Sequence, residues 1–285
     1  MYQIFRRYDM IGNEIKRAIC SKGMLLAMIV GNTLWIAYGI TMRIYSYNAE
    51  KSFEELKEKG IDVYITMSQN SPFDIWMFGH MNKYFLVFMY LFPILAALPF
   101  AASYCSEKKS GYEKNVVTRT SRKNYLRSKY WATFISGGIS VAVPFFLSFM
   151  WIFTMMKYRD PISASQAPMV SGTSFMCILY FTHPFIYCFV FLLAIFVFGG
   201  FLATTSLSIS QLTGNFFTVI LTPFMVTMFL ASIFMGNTLM RYLPINFLAP
   251  MNGGNKLYMV LVGGMVLWII SYTVFVRIGE KKDCL

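Results

Sequence analysis

Charged residues are scarce in this sequence. They make up 13% of its 285 residues, whereas 56% of the residues are hydrophobic. A soluble domain carries about 25% charged residues. A chain with about half that share lacks the charges to cover a water-exposed surface. The composition therefore excludes an ordinary soluble domain and favours a lipid bilayer as the solvent.

Chemically reactive constellations are also missing. The sequence has two His and five Cys, with no HExxH, no CxxC and no GxxxxGK[ST] phosphate-binding loop. Zinc sites, redox-active dithiols and P-loop ATP sites use these spacings. We therefore expect no metal, cofactor or ATP site on this chain, and we expect that it is not an enzyme.

Long apolar runs occur in six places. A bilayer-spanning helix needs about 20 mostly apolar residues, and none of the six runs contains Asp, Glu, Lys or Arg. The sequence thus predicts an all-α polytopic membrane protein that forms one transmembrane domain over residues 1–285. The predicted spans are 24–42, 84–104, 130–156, 183–204, 215–236 and 257–276.

The distribution of charge orients these spans. With six crossings, both termini share one side with loops 105–129 and 205–214, and that side holds sixteen of the 25 Lys and Arg residues. Its net charge is +10, against +2 on the other side. Because Lys and Arg concentrate on the cytoplasmic face, we expect both termini in the cytoplasm. Topology thus accounts for the positive charge, and we expect no nucleic-acid partner.

Residues 1–23 predict an amphipathic helix in the cytoplasmic membrane interface, with membrane lipid as its partner. One face carries apolar side chains at helical spacing, and the opposite face carries polar ones, Glu14 and Arg17 among them. An ordinary basic flank to the first span is the alternative. The apolar face comprises Ile4, Phe5, Tyr8, Ile11, Ile15 and Ile19.

The outer side carries the longest loop. In residues 43–83, "NAEKSFEELKEKGID" predicts a short charged helix ended by Gly60, and "NSPFDIW" predicts a turn. A further surface helix is expected within 157–182. Segment 237–255 is broken by Pro and Gly and predicts a re-entrant piece that does not cross the bilayer.

Small and polar residues inside the apolar runs predict how the helices pack, turn and bend. Gly pairs at 137–138, 199–200 and 263–264 favour close helix packing over hinges. The Ser and Thr residues of 203–213 predict an uncharged turn between two spans. Kinks or local openings of the helix are expected at four prolines, which are Pro93, Pro99, Pro144 and Pro223.

All thirteen acids fall outside the predicted spans. Ion-coupled carriers usually keep a carboxylate or base within a span, because that group binds and releases the coupling ion. This absence disfavours a carrier, although backbone carbonyls can also bind ions. A gradient-driven carrier and a structural or sensory membrane protein remain alternative functions.

The stretch "SEKKSGYEKNVVTRTSRKNYLRSK", residues 106–129, gathers eight Lys and Arg. Topology alone is one explanation. The stretch also resembles the signature loop of permease subunits of type-2 ATP-binding-cassette (ABC) exporters, although Thr120 stands where that family has Pro and the first outer loop is long. The residues that match are Glu107, Gly111, Thr118, Arg119, Ser121, Arg122, Ser128 and Lys129.

This resemblance implies a mechanism. A helix over residues 108–118 would be the coupling helix, seated in a groove of a separate cytoplasmic ATPase that holds ATP and Mg²⁺, and residues 1–23 would be the connecting helix. Two permeases, identical or paralogous, would form a dimer with one ATPase beneath each. The implied coupling residues are Glu107, Gly111, Tyr112, Glu113, Val116, Val117, Thr118 and Arg119. The implied connecting-helix residues are Ile4, Phe5, Arg6, Arg7, Tyr8, Ile11 and Ile15.

The cargo expectation depends on composition and on the same resemblance. The chain has 28 Phe and 21 Met, and such side chains form adaptable apolar linings. It is similar to permeases of the bacterial plasma membrane that export, or confer immunity to, amphipathic peptides such as bacteriocins and phenol-soluble modulins. We therefore expect export of amphipathic peptides, with drug or lipid export as the alternative.

Overall fold

Helices dominate the part of the chain that the structure describes. The computed structural model is 84% helical, and none of the residues that it describes form a strand. The predicted all-α class is therefore confirmed, whereas the predicted re-entrant segment 237–255 lies outside the described residues. The structure describes residues 2–60, 71–77, 83–161, 170, 172, 174, 176–234 and 257–281.

The described helices are numbered in chain order, and the eleventh continues without a break into a π-helix, Thr273–Ile278. They are α1 (Tyr2–Ile19), α2 (Lys22–Glu58), α3 (Pro72–Trp76), α4 (Lys83–Ala97), α5 (Ser103–Lys109), α6 (Tyr112–Val117), α7 (Arg122–Met155), α8 (Cys177–Thr182), α9 (Pro184–Ile209), α10 (Phe216–Phe234), α11 (Leu257–Tyr272) and α12 (Gly279–Lys281).

Five helical segments of the described chain are long and apolar enough to cross a membrane, namely α2, α7, α9, α10 and Val262–Lys281. The predicted second span, 84–104, is not one continuous helix. A turn over residues 98–102 divides it into α4, which has 15 residues, and α5. The break follows from Pro99, which lacks an amide hydrogen and disfavours helical backbone at the residue before it.

Helix α2 is longer than the predicted first span, 24–42. It runs for 37 residues to Glu58, so the charged helix predicted as a separate element in the outer loop is its continuation. The helix ends where predicted, because Gly60 adopts the left-handed backbone with φ +69° and its amide donates to the carbonyl of Lys57 at 3.0 Å.

The sequence "NSPFDIW", predicted as a turn, forms the short helix α3. Ser71 caps it, because its hydroxyl accepts from the amide of Asp74 at 3.1 Å while Asp74 accepts from the amide of Ser71. Pro72 occupies the first helical position, where a missing amide hydrogen costs nothing. Trp76 is fully buried and its indole N–H donates to the Ser148 hydroxyl at 3.1 Å, which fixes α3 against α7.

Helices α7 and α9 cross closely through two glycine pairs. A Cβ on Gly137 would lie 2.3 Å from the Cβ of Ala203, and a Cβ on Gly199 would lie 2.9 Å from the carbonyl oxygen of Gly137. The packing role predicted for these pairs is confirmed. The third pair is split, since Gly264 contacts Phe201 whereas a Cβ on Gly263 would meet nothing within 4 Å.

Hydroxyl groups lie inside the apolar helices. The run 203–213, predicted as a turn, is helical as far as Ile209, and Thr204, Ser206 and Ser208 are buried. The turn is confined to residues 210–212. The prediction was wrong for residues 203–209, because Ser and Thr can donate to carbonyls three or four residues back and so satisfy themselves within a helix. The Ser208 hydroxyl does so with the carbonyl of Thr204 at 2.9 Å.

The prolines inside the spans differ in effect. Pro93, Pro144 and Pro223 lie inside α4, α7 and α10, which continue through them. Only Pro99 lies in a break of the described helices, and the Ser21 hydroxyl donates to its carbonyl at 2.8 Å. The helix predicted before the fourth span is present as α8.

The glycine crossing gives the first prediction. Gly137→Ala places a methyl group against α9, and overpacking of this kind costs about 1–3 kcal/mol. We expect a lower melting temperature for the purified protein in detergent, measured with a thiol-reactive dye that labels buried cysteines on unfolding. Gly263→Ala is the matched control and leaves the melting temperature unchanged or slightly raised. Equal melting temperatures for the two variants would show that α7 and α9 are not in close contact.

Candidate functional site

The basic loop folds as two short helices that meet α1 and the base of α7. Gly111 separates α5 from α6 with φ +72°, in the left-handed region that favours glycine. The single coupling helix expected over residues 108–118 is therefore wrong in its boundaries. The turn at Gly111 redirects the chain, so that one helix presents Glu107 and the next presents Glu113 to the interior.

Glu107 is the centre of a buried charge network, defined here as Glu14, Arg17, Glu107, Tyr125 and Lys129. Its carboxylate lies 2.5 Å from the ammonium nitrogen of Lys129. Arg17 donates to the same oxygen at 2.8 Å, and the Tyr125 hydroxyl donates to the other oxygen. Glu107 is only 5% exposed, so these three groups replace water around its charge.

Glu14 is the second acid of the network and closes it from α1. Arg17 donates to Glu14 at 2.7 Å, and the Lys129 ammonium lies 3.6 Å from the other carboxylate oxygen. Glu14 is 3% exposed, although its place on the polar face of α1 predicted contact with water. That face packs against α7, and the interior charge of Lys129 compensates the carboxylate.

Lys129 is fully buried, with 0% exposure, and its ammonium also lies 4.1 Å from the centre of the Phe100 ring. Burial of an ion costs several kcal/mol unless opposite charges and hydrogen bonds surround it. Here two carboxylates face two bases, Arg17 and Lys129, so the network is neutral as a whole.

Arg17 lies where the network meets the surface. Partial burial opposes its charge, but the carboxylates of Glu14 and Glu107 outweigh that effect and raise the pKa of the guanidinium above its ordinary value. The guanidinium carbon lies 4.7 Å from the centre of the Tyr112 ring, a cation–π contact. Arg17 therefore connects α1 with both α5 and α6.

A second ion pair lies beside the network. Arg122, at the start of α7, lies 3.3 Å from Glu113, and the Tyr104 hydroxyl donates to the same carboxylate at 3.1 Å. Glu113 is 5% exposed. The resemblance implied a polar contact with an ATPase at Glu113. Its carboxylate faces inward and is paired with Arg122, and the coupling role stays a prediction.

The other expected coupling residues differ in the solvent exposure of their side chains. Val116 is half-buried and packs on the buried cluster that includes Tyr104 and Leu126. Tyr112 keeps 37% exposure and Val117 is half-buried, so both retain surface for a partner. Thr118 and Arg119 are also exposed.

The matched loop residues that remain have structural positions. Ser121 caps α7 by accepting from the amide of Asn124 at 3.4 Å. Ser128 is buried, with 1% exposure. Glu107 and Lys129, the first and last residues of the matched series, form the shortest ion pair of the network.

Helix α1 forms where the connecting helix was expected, and its side chains are described from Met10 onward. The connecting role stays a prediction. Ile11 and Ile15 are half-buried, and Ile15 packs against Phe100 and Ala132. The other expected residues, Ile4, Phe5, Arg6, Arg7 and Tyr8, lie outside the described side chains.

Sequence reasoning missed three members of the network as site residues: Glu14, Arg17 and Tyr125. Arg17 and Glu107 are 90 positions apart, and no local pattern connects them. One signal was present, since an acid and a base three positions apart on one helix can pair. Within the described residues, no group of three or more His, Cys, Asp or Glu side chains could hold a metal ion.

Comparison with known proteins identifies no relative of this chain. No family model, no curated protein and no solved structure matches the chain.

The network gives the second prediction. Lys129→Met leaves Glu107 and Glu14 buried with one base fewer, and breaking a buried pair in this way costs about 3–5 kcal/mol. We expect a large fall in melting temperature. Lys123→Met is the control on the same helix, because the ion pair of Lys123 with Glu280 is exposed and such pairs contribute about 0–1 kcal/mol.

A double variant separates charge balance from packing. Lys129→Met combined with Glu107→Gln removes one charge of each sign and leaves the Arg17–Glu14 pair. We expect the melting temperature of the double variant to lie above that of Lys129→Met alone. A further fall in the double variant would contradict the role assigned to charge compensation.

Proposed function

We propose that this chain is the transmembrane subunit of an ATP-driven ABC exporter of the bacterial plasma membrane. A separate cytoplasmic ATPase holds ATP and Mg²⁺, and a second permease copy or paralogue completes the assembly. The observation that carries the proposal is the buried charge network, which joins the N-terminal helix, the basic loop and the base of α7 through Arg17, Glu107 and Lys129.

This arrangement fits the mechanical task of a permease. A subunit that receives a push from an ATPase needs its contact loop fixed to the spans, since a loosely attached loop would move alone. Glu107 on α5 is held by Lys129 on α7 and by Arg17 on α1. Because disruption of such a buried pair costs about 3–5 kcal/mol, displacement of the loop carries both helices with it.

The orientation belongs to the same proposal. The network and the basic loop lie on the side that holds sixteen of the 25 Lys and Arg residues, which the positive-inside rule assigns to the cytoplasm. Both termini are then cytoplasmic, and the ATPase docks beneath α5 and α6.

Amphipathic peptides are the proposed cargo, with drugs or lipids as the alternative. The apolar runs of the spans contain no acid, so a small ion would find no fixed opposite charge inside them. Phe and Met are abundant, at 28 and 21 residues, and provide apolar surface that adapts to varied side chains.

An ion-gradient carrier is a second candidate, and the burial of Glu14, Glu107 and Lys129 favours it. Buried ionisable groups in membrane proteins often bind or relay ions. The two candidates differ in energy source. Cargo movement by a carrier continues in vesicles that have a proton or sodium gradient and no ATP, whereas movement by an ABC exporter stops.

Affinity purification tests the proposal directly. The tagged chain is expressed with its native gene neighbours and isolated in mild detergent, and mass spectrometry identifies what stays bound. We expect a P-loop ATPase in a one-to-one ratio. Recovery of the chain alone, under conditions that preserve known transporter complexes, would count against the proposal and favour the carrier.

A charge on the coupling surface gives the third prediction. Val117→Asp places a carboxylate on a half-buried residue that is expected to enter the ATPase groove. We expect ATP turnover by the purified complex to fall about tenfold or more, consistent with a charge buried without a partner costing more than 1.4 kcal/mol. Val117→Thr keeps the shape and adds no charge, so it serves as the control. Wild-type turnover in an intact Val117→Asp complex would contradict the coupling role.

A further inference from the structure

The basic loop turns its acids inward and its bases outward. Both acids of residues 106–123, Glu107 and Glu113, are buried and paired with bases of the interior. Four bases within residues 106–119 are exposed. They are Lys108, Lys109, Lys114 and Arg119, and together they are called the cationic face.

The charge of this face is uncompensated within the part of the chain that the structure describes. None of the four bases forms an ion pair with an acid in the part of the chain that the structure describes, whereas Lys123 nearby pairs with Glu280 at 3.3 Å. In the sequence, two acids of the loop offset part of its positive charge. The structure removes both from the surface, because the interior bases Lys129 and Arg122 hold them.

The cationic face belongs to α5, α6 and the turn after them, which pair with the charged end of α7. Helix α7 has 34 residues, about 51 Å at 1.5 Å per residue, and the hydrocarbon core is about 30 Å thick. All charged residues of α7 lie between Arg122 and Lys129. These first two turns extend about 12 Å beyond the apolar part, more than the depth of one headgroup layer.

From this geometry we infer that the cationic face is the docking surface for an acidic groove on the partner ATPase. The inference deepens the proposed function, and rests on it, by assigning the chemistry of the partner. Opposite charges across such an interface speed the encounter and set its register. Tyr112 and Val117, which lie among these bases, supply the apolar contact that a protein groove can bury.

A binding-rate measurement tests the inference. The chain is reconstituted in nanodiscs of neutral phosphatidylcholine, and the ATPase identified by co-purification is added at about 50 and about 300 mM NaCl, since screening grows steeply over this range. We expect the association rate constant to fall about tenfold with salt, as electrostatically steered encounters do.

Two matched variants locate the effect. In one, Lys108, Lys109, Lys114 and Arg119 are each changed to Gln. In the other, four exposed bases of the same membrane side, Lys16, Lys22, Arg277 and Lys281, are each changed to Gln. We expect the first variant to bind about tenfold more slowly at low salt and to lose its salt dependence. The second keeps the wild-type rate and salt dependence.

Each other outcome overturns the inference in a recognisable way. If the ATPase binds at a rate that does not depend on salt, or binds both variants at equal rates, the inference of an acidic groove is wrong. The proposed function is unaffected by either result. If neither the wild type nor either variant binds the ATPase, both the inference and the proposed function are wrong. If anionic phosphatidylglycerol in the nanodisc slows the wild type but not the first variant, the cationic face is occupied by lipid headgroups and the inference is wrong.

Discussion

The ion pair between Lys129 and Glu107 is the interaction on which the end of the protein that carries the basic loop depends. A fully buried ammonium group has no place in an apolar helix unless opposite charges come to it. Glu107 on α5 and Glu14 on α1 do so. Their requirement for Lys129 fixes the direction of both helices, and the folded position of the basic loop follows from that.

Lipid imposes a different constraint on the spans themselves. Between helices that are already surrounded by apolar chains, hydrophobic burial gives little drive for association, and close contact with satisfied hydrogen bonds takes its place. The Gly137–Gly199 crossing brings two backbones together. The hydroxyl of Ser140 donates to the carbonyl of Leu95 across helices at 3.0 Å. The interior thus adds small side chains and backbone carbonyls to an apolar core that includes Trp35, Trp76 and Phe145.

The sequence predicted what depends on local pattern, and it failed where contacts are distant or where a helix outlasts its apolar run. Hydropathy located five span-length helices but placed the end of the first near residue 42, because it detects the edge of the lipid and not the end of the helix. Pro99 signalled a break but not its full extent. The matched series contained Glu107 and Lys129, yet their pairing, and the inward turn of Glu14, depend on a fold that brings three helices together.

Helix α2 is long and apolar enough to cross a membrane as a single rod. Its 37 residues measure about 55 Å, and its first turn is fixed beside the network, where a Cβ on Gly23 would lie 2.2 Å from the carbonyl oxygen of Leu98. A tilt of about 5° at that end would displace the opposite tip by about 5 Å, by the geometry of a rigid helix of this length. The far end of α2 is therefore under leverage from the end that holds the network, and the amplitude of any motion there is set by the length of one helix.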